Sequence, residues 1–298
     1  MAEKTSQVTA TRRQFLKGGG LLAGASAVAL ATGGSLLGPS AAVADVPAAR
    51  NDTVRMVQDL TRALARPIES RRWAMVIDTR RCIGCHACTV ACIAQHALPV
   101  GVAYRTVPVA TPAWGTFFMP MNCMQCENAP CIDAANAVVG GSMSRRPDGI
   151  VTIDYTRMKG RAVFDAADRA CPYSGALSYD AGVTWTEGTP ASQPYDALAS
   201  NEYGEAWSRA QTKGATRKCH FCIDRIEANL LPACVATCTG QAMHFGDISD
   251  DQSLVAELLA TTSTTRIENG AHTSPRVYFV NEMLNDKPVI AACQFCHV

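Results

Sequence analysis

The stretch Cys82-Ile83-Gly84-Cys85-His86-Ala87-Cys88-Thr89-Val90-Ala91-Cys92 constrains this chain more than any other. Its four thiols are separated by two, two and three residues. At that spacing three thiolates converge on one face of a [4Fe–4S] cube, and the fourth serves a neighbouring cube. Gly84 supplies backbone freedom where iron must approach closely. Cys92 lies about one helical turn beyond Cys88, so its sulfur is available to a second site. The competing readings are a zinc knot or a disulfide staple. Zinc sites usually take paired CxxC units without a third and fourth beat. A chain of 298 residues with 14 cysteines is also too long to need a disulfide scaffold.

The first 44 residues read as a targeting segment. Thr11-Arg12-Arg13-Gln14-Phe15-Leu16-Lys17 is a twin-arginine pattern, and an uncharged run from Gly18 to Ala44 ends in Ala42-Val43-Ala44. Gly18 to Leu37 is long enough for a membrane anchor, but its Gly, Ala and Ser content makes it weakly hydrophobic, which favours cleavage. Twin-arginine signals resemble those of proteins exported already folded and loaded. Exported cysteines are usually disulfides, and loading before export explains how these remain ligands. The expected location is the periplasm or the outer face of the cytoplasmic membrane. Removing the leader takes four of 27 basic and one of 26 acidic residues, leaving 23 and 25, formally −2. No basic surplus points to nucleic acid.

The rest divides into an arm over 45–72, a cysteine-rich domain over 73–250 and a C-terminal extension over 251–298. Val54, Val57, Leu60, Ala63 and Leu64 predict a helix over 51–65, and Ser253 to Leu259 predicts another. Strands are expected at 73–78, 149–155 and 276–280. Residues 181–216, polar and rich in Gly, Pro and Ser, read as a surface insertion. Nothing after residue 45 reads as a membrane span.

The remaining cysteines form blocks: Cys123, Cys126 and Cys131; Cys171 before Pro172; and Cys219, Cys222, Cys234 and Cys238. Residues 73–281 resemble the four-cluster iron–sulfur electron-transfer subunit of the dimethyl-sulfoxide and polysulfide reductase family. The stretches CIGCHACTVAC, NCMQCENAPC, ACPY and KCHFC carry the likeness. The resemblance implies an α+β fold of two interleaved ferredoxin-like halves, with first and fourth blocks paired and second with third. It also implies a membrane quinone-handling subunit, through which any membrane contact is made, and commonly a molybdenum catalytic subunit. The leader and tail are also similar to the exported iron–sulfur subunit of the Dsr sulfite-reduction-associated complex, which would work beside a cytochrome c.

The family pattern has 16 ligands, and four are absent here: the expected positions hold Ala135, Arg161, Phe164 and Ala167. All four would serve one cube. By the resemblance, the others are held by Cys82, Cys85, Cys88 and Cys238; by Cys92, Cys219, Cys222 and Cys234; and by Cys123, Cys126, Cys131 and Cys171. Three clusters follow. Phe164 and the stem of Arg161 are expected to fill the vacated site, since close-packed interiors leave no cube-sized void.

Cys293-Gln294-Phe295-Cys296-His297 is a CxxCH motif suited to covalent haem c, with Met283 or His272 as distal-ligand candidates within the chain. A terminal disulfide or free thiols are the plainer readings. His86 and His220, inside cluster loops, are expected to tune potential through hydrogen bonds, and His96 and His244 to be ordinary packing or surface residues. Met119, Met121 and Met124 read as apolar shielding. Arg217 and Lys218 are either counter-charges to a cluster or a solvated pair. No nucleophile–base set, phosphate loop or open metal site is present, so the chain has no catalytic site of its own.

Overall fold

The computed structural model describes residues 51–111, 115–173, 175–183, 194–267 and 272–281. The leader and the CxxCH tail, with Cys293, Cys296, His297 and Met283, lie outside them.

Asn51 caps the first helix, α1 (Asp52–Leu64), by accepting from the Val54 N–H at 3.2 Å. The helix is where its periodicity predicts, but its phase differs. Met56, Leu60 and Ala63 are buried, whereas Val54 and Val57 are exposed. The reason is Asp59, also buried, whose carboxylate accepts from the Leu254 N–H at 2.7 Å. That residue opens α5 (Leu254–Thr261), so one helix supplies an acceptor to the other's unsatisfied amino end.

The central sheet has three strands. β1 (Trp73–Asp78) lies between antiparallel β2 (Met243–Asp247) and parallel β3 (Val277–Val280). Every residue of β1 is buried, and its alternation divides the side chains between two cores. Trp73, Met75 and Ile77 enter the large core that contains the cysteines, while Val76 packs with Val255 and Val280.

Three further helices carry the cysteine framework. α2 (Ala87–His96) begins after a left-handed His86 and holds Cys88 and Cys92 one turn apart on its buried side. α3 (Pro130–Val138) starts on proline, where the missing N–H costs nothing, and holds Cys131. α4 (Arg161–Ala170) ends at Cys171 and packs along α3. The architecture is therefore mixed helix and sheet. No helix among the described residues is long and apolar enough to cross a membrane.

The 181–216 segment is not all surface. Ser200, Glu202 and Thr212 are fully buried, with Ser200–Glu202 forming a short strand against Glu205–Trp207. The polar composition that reads as solvated loop instead supplies a buried carboxylate.

Candidate iron–sulfur centres

Twelve free cysteines lie within the described residues, and their nearest cysteine neighbours fall into three sets. Cys82, Cys85, Cys88 and Cys238 line one cavity. Burial raises the Cys82 thiol, and the nearby Cys238 and Cys85 raise it further. Cys85 is exposed, and its thiol is held low by the Ala87 N–H and by Thr239. The Ala242 N–H donates to the Cys238 sulfur at 3.2 Å.

Cys92, Cys219, Cys222 and Cys234 form the second set, all buried. Burial pushes the Cys92 thiol well up, followed by repulsion from Cys222, Cys219 and Cys234. Burial, followed by Cys234, brings Cys219 to about 12. The third set is Cys123, Cys126, Cys131 and Cys171. Cys126 is raised to about 11 and Cys131 to about 12, by burial and then by Cys123. Cys171 responds to Cys131, Cys123 and Cys126 after burial.

The CxxC loop that opens each of three cysteine blocks repeats one backbone feature. The residue before its second cysteine is left-handed: Gly84 at φ +67°, Gln125 at 50° and Phe221 at 57°. For glycine this is free, and a Cβ at Gly84 would stand 2.4 Å from the Phe118 ring. For the other two it costs about 1–3 kcal/mol each and must be held by the surroundings. Gln125 is pinned at both ends of its amide, donating to the Cys219 carbonyl at 2.7 Å and accepting from the Val151 N–H at 2.8 Å. Phe221 is clamped edge-on against Phe245 at 5.3 Å.

Sulfur spacing separates cluster from single ion. Zinc–thiolate bonds of about 2.3 Å would bring tetrahedral sulfurs within roughly 4 Å of one another. Among the described residues, no three cysteine sulfurs lie within 4.8 Å of one another. Thiols forced up by mutual repulsion are relieved when iron replaces their protons. The residues fit the four-iron cube.

The positions where ligands are absent behave differently from expectation. Phe164 is only half-buried, and Arg161 points to solvent, its guanidinium stacked 4.7 Å over Tyr179 and 5.3 Å over Phe164. Phe164 packs against the edge of the core, while Arg161 lies outside it. The segment that would wrap a cube is instead the regular helix α4, and Ala135 and Ala167, both 0% exposed, let α3 and α4 close together with Val163. Helix–helix contact takes up the space.

The histidines also exchange roles. His220 does not touch sulfur; its Nε2 lies 2.6 Å from Glu202, and its Nδ1 accepts from the Ile223 N–H at 3.1 Å. His86 is exposed. The buried His96, read as a packing residue, has Nε2 3.2 Å from the Cys222 sulfur and Nδ1 3.1 Å from the Asn201 carbonyl. His96, His220 and Asp224 lie close enough for an ion, but all four ring nitrogens already have partners. His244 is a packing residue, buried and 3.4 Å from Asp52. Met119, Met121 and Met124 are buried as shielding requires. Arg217 and Lys218 are both 0% exposed, which excludes a solvated pair.

Glu202 gathers this region. Burial opposes its charge, but His96, His220 and Arg217 hold its carboxyl at about 2. Arg217 reaches it at 2.9 Å, meets Asp180 at 3.1 Å and donates to Tyr104 at 2.9 Å. His272 is exposed, and its carbonyl accepts from Asn128 at 3.1 Å.

Cysteine quartets, eight of their twelve members buried, gathered beside left-handed loops define an iron–sulfur electron-transfer protein. The 4Fe-4S dicluster domain family matches residues 114–190 and 193–248. Over 94% of its length the chain is 37% identical to a selenate reductase subunit of Mesobacillus selenatarsenatis, covering all of that protein. It is 33% identical to a tetrathionate reductase subunit of Salmonella typhimurium over 70% of this chain and 72% of that one. It is 28% identical to a polysulfide reductase chain of Wolinella succinogenes, over 71% and 95%. This protein belongs to the family of 4Fe–4S dicluster iron–sulfur subunits of reductases.

Proposed function

We propose that this subunit holds three [4Fe–4S] clusters and relays electrons between a quinone-handling membrane subunit and a catalytic or cytochrome c partner. When bound, the clusters supply one-electron transfer. The ligand sets are Cys82, Cys85, Cys88 and Cys238; Cys92, Cys219, Cys222 and Cys234; and Cys123, Cys126, Cys131 and Cys171. The observation that carries this reading is the reach of Cys238, 150 residues or more along the chain, to the side of Cys82 and Cys88. Two cysteine blocks that exchange their last ligand are what interleaved ferredoxin-like halves require. Cys88 and Cys92 on one helix link the first set to the second, and Cys219 feels Cys123 across the second boundary.

Exposure argues for direction along the wire. Cys85 and Ile83 are exposed at the first set, the end suited to exchange with a catalytic partner. At the other end, the α3–α4 contact at Ala135 and Ala167 closes the family's fourth site, which makes the third set the terminus towards the membrane subunit. The likeness to subunits of selenate and tetrathionate reductases favours a catalytic reductase partner, which the family resemblance implies to be of the molybdenum type. The twin-arginine leader supports an exported protein working at the outer face of the cytoplasmic membrane, and Cys293, Cys296 and His297 a covalent haem c. Low-temperature EPR of reduced, anaerobically purified chain tests the wire. Cys171→Ala should remove one cluster signal and leave the other two. Loss of every signal, or of none, would refute the assignment. A pyridine haemochrome assay decides the haem: no covalent haem in native material would refute it.

A further inference from the structure

A cation taken out of water needs an opposite charge beside it. Of the four buried arginines and lysines among the described residues, two meet that demand with carboxylates: Arg217 with Asp180 and Glu202, and Arg276 with Glu127 at 2.7 Å. Two do not. Arg105 is 2% exposed, and its Nη2 donates to the Cys234 sulfur at 3.4 Å and to the Met75 sulfur at 3.1 Å. Its Nη1 is buried with no partner. Lys218 is 0% exposed, and its ammonium donates only to the carbonyls of Val151 and Cys219. Among the described residues, no carboxylate pairs with either.

Their positions are related. Arg105 stands where the first and second cysteine sets meet. Its charge acts on Cys88 of the first set and on Cys92, Cys219 and Cys234 of the second. Lys218 directly precedes Cys219 of the second set, and its charge acts on Cys131 of the third, against the burial that pushes that thiol up. Each unpaired cation thus sits at one of the two boundaries between sets.

We propose that Arg105 and Lys218 are shared counter-ions of the wire: Arg105 for the first and second clusters, Lys218 for the second and third. The proposal rests on the three-cluster reading. A cluster with its four thiolates is anionic, and reduction adds one more negative charge. A fixed cation in a water-poor core favours the reduced form of whatever lies beside it. When an electron crosses a junction, one cluster is oxidised and its neighbour reduced, with no bond made and no proton moved. A cation placed between them stabilises the electron on either side, so the crossing does not leave its counter-charge behind. The absence of a carboxylate follows, because one would cancel that field.

The test is an EPR-monitored redox titration of the full chain, loaded and purified without oxygen. Arg105→Gln and Lys218→Gln remove charge but keep hydrogen-bonding groups. Each should lower two of the three midpoint potentials by about tenfold in reduction equilibrium, about 59 mV for one electron. One signal, that of the second cluster, should fall in both variants. Arg105→Lys keeps the charge and should stay near the wild-type values. Shifts confined to one signal, equal in all three, or reproduced by Arg105→Lys would overturn the proposal. If Arg105→Gln does not load, the Lys218→Gln and Arg105→Lys titrations decide by the same pattern. Failure of the underlying reading is seen separately, as fewer than three signals in the wild type.

Discussion

His96 Nε2 stands 3.2 Å from the sulfur of Cys222, and both residues are buried. On the other side of the ring, the Asn201 carbonyl can only accept, so Nδ1 carries a proton. Nε2 can then receive the Cys222 thiol proton in the metal-free chain. With iron in place of that proton, the contact would persist only with a second proton on the ring; burial holds the His96 pKa low and opposes it, while Glu202, 3.7 Å from Nδ1, favours it. A hydrogen bond to a ligating sulfur favours the reduced cluster. His96→Leu should therefore lower the second cluster's midpoint by on the order of tens of millivolts while leaving the other two in place. Redox titration followed by EPR measures this, and an upward shift would show that the ring makes no such donation.

Glu202→Gln removes the charge on which Arg217, His96 and His220 converge. Leaving a buried guanidinium half-compensated should cost about 3–5 kcal/mol at neutral pH. The sign of the pH dependence follows from the carboxyl being held at about 2 against an ordinary 4.5. Its contribution is complete above about 4.5 and is lost as pH falls towards 2. Anaerobic unfolding between pH 7 and pH 3 should show the gap between wild type and variant narrowing only in the acid part of that range.

At the α3–α4 contact, Ala167→Leu should destabilise by about 1–3 kcal/mol through overpacking. Phe164→Ala, at a half-buried position, should cost only about 1–2 kcal/mol, less than for a core phenylalanine. Neither should change iron content. Thermal unfolding with parallel iron analysis checks both, and iron loss in either variant would mean that metal still occupies the fourth site.

Gly84→Ala sets a side chain in a left-handed conformation 2.4 Å from the Phe118 ring. The first cluster should then be lost to a chelator faster than in the wild type, with the third unaffected. Absorbance decay under chelator, resolved by EPR, measures the difference.

How much of this could be read in advance depends on how local the signal is. Cysteine spacing is local, so the cysteine blocks were legible, as were β1 and the existence of α1; how distant blocks join was implied only by the family resemblance. The phase of α1 was not, because Asp59 faces inward to serve α5, nearly 200 residues away. His96 and Cys222 are 126 residues apart, and no pattern around either marks the pair. Glu202 lies in a polar stretch whose composition describes a loop; only the packing of Arg217 and His220 around it gives it a buried role. The four missing ligands were legible against the family pattern. The α3–α4 contact at their positions was not, since two alanines carry less sequence signal than Phe164 or Arg161.

Iron content per chain tests the central claim most directly. Anaerobically purified protein, quantified for non-haem iron and acid-labile sulfide, should hold about twelve of each, as three four-iron clusters require. About sixteen would reinstate the fourth site, and stoichiometric zinc in place of iron would contradict the account altogether.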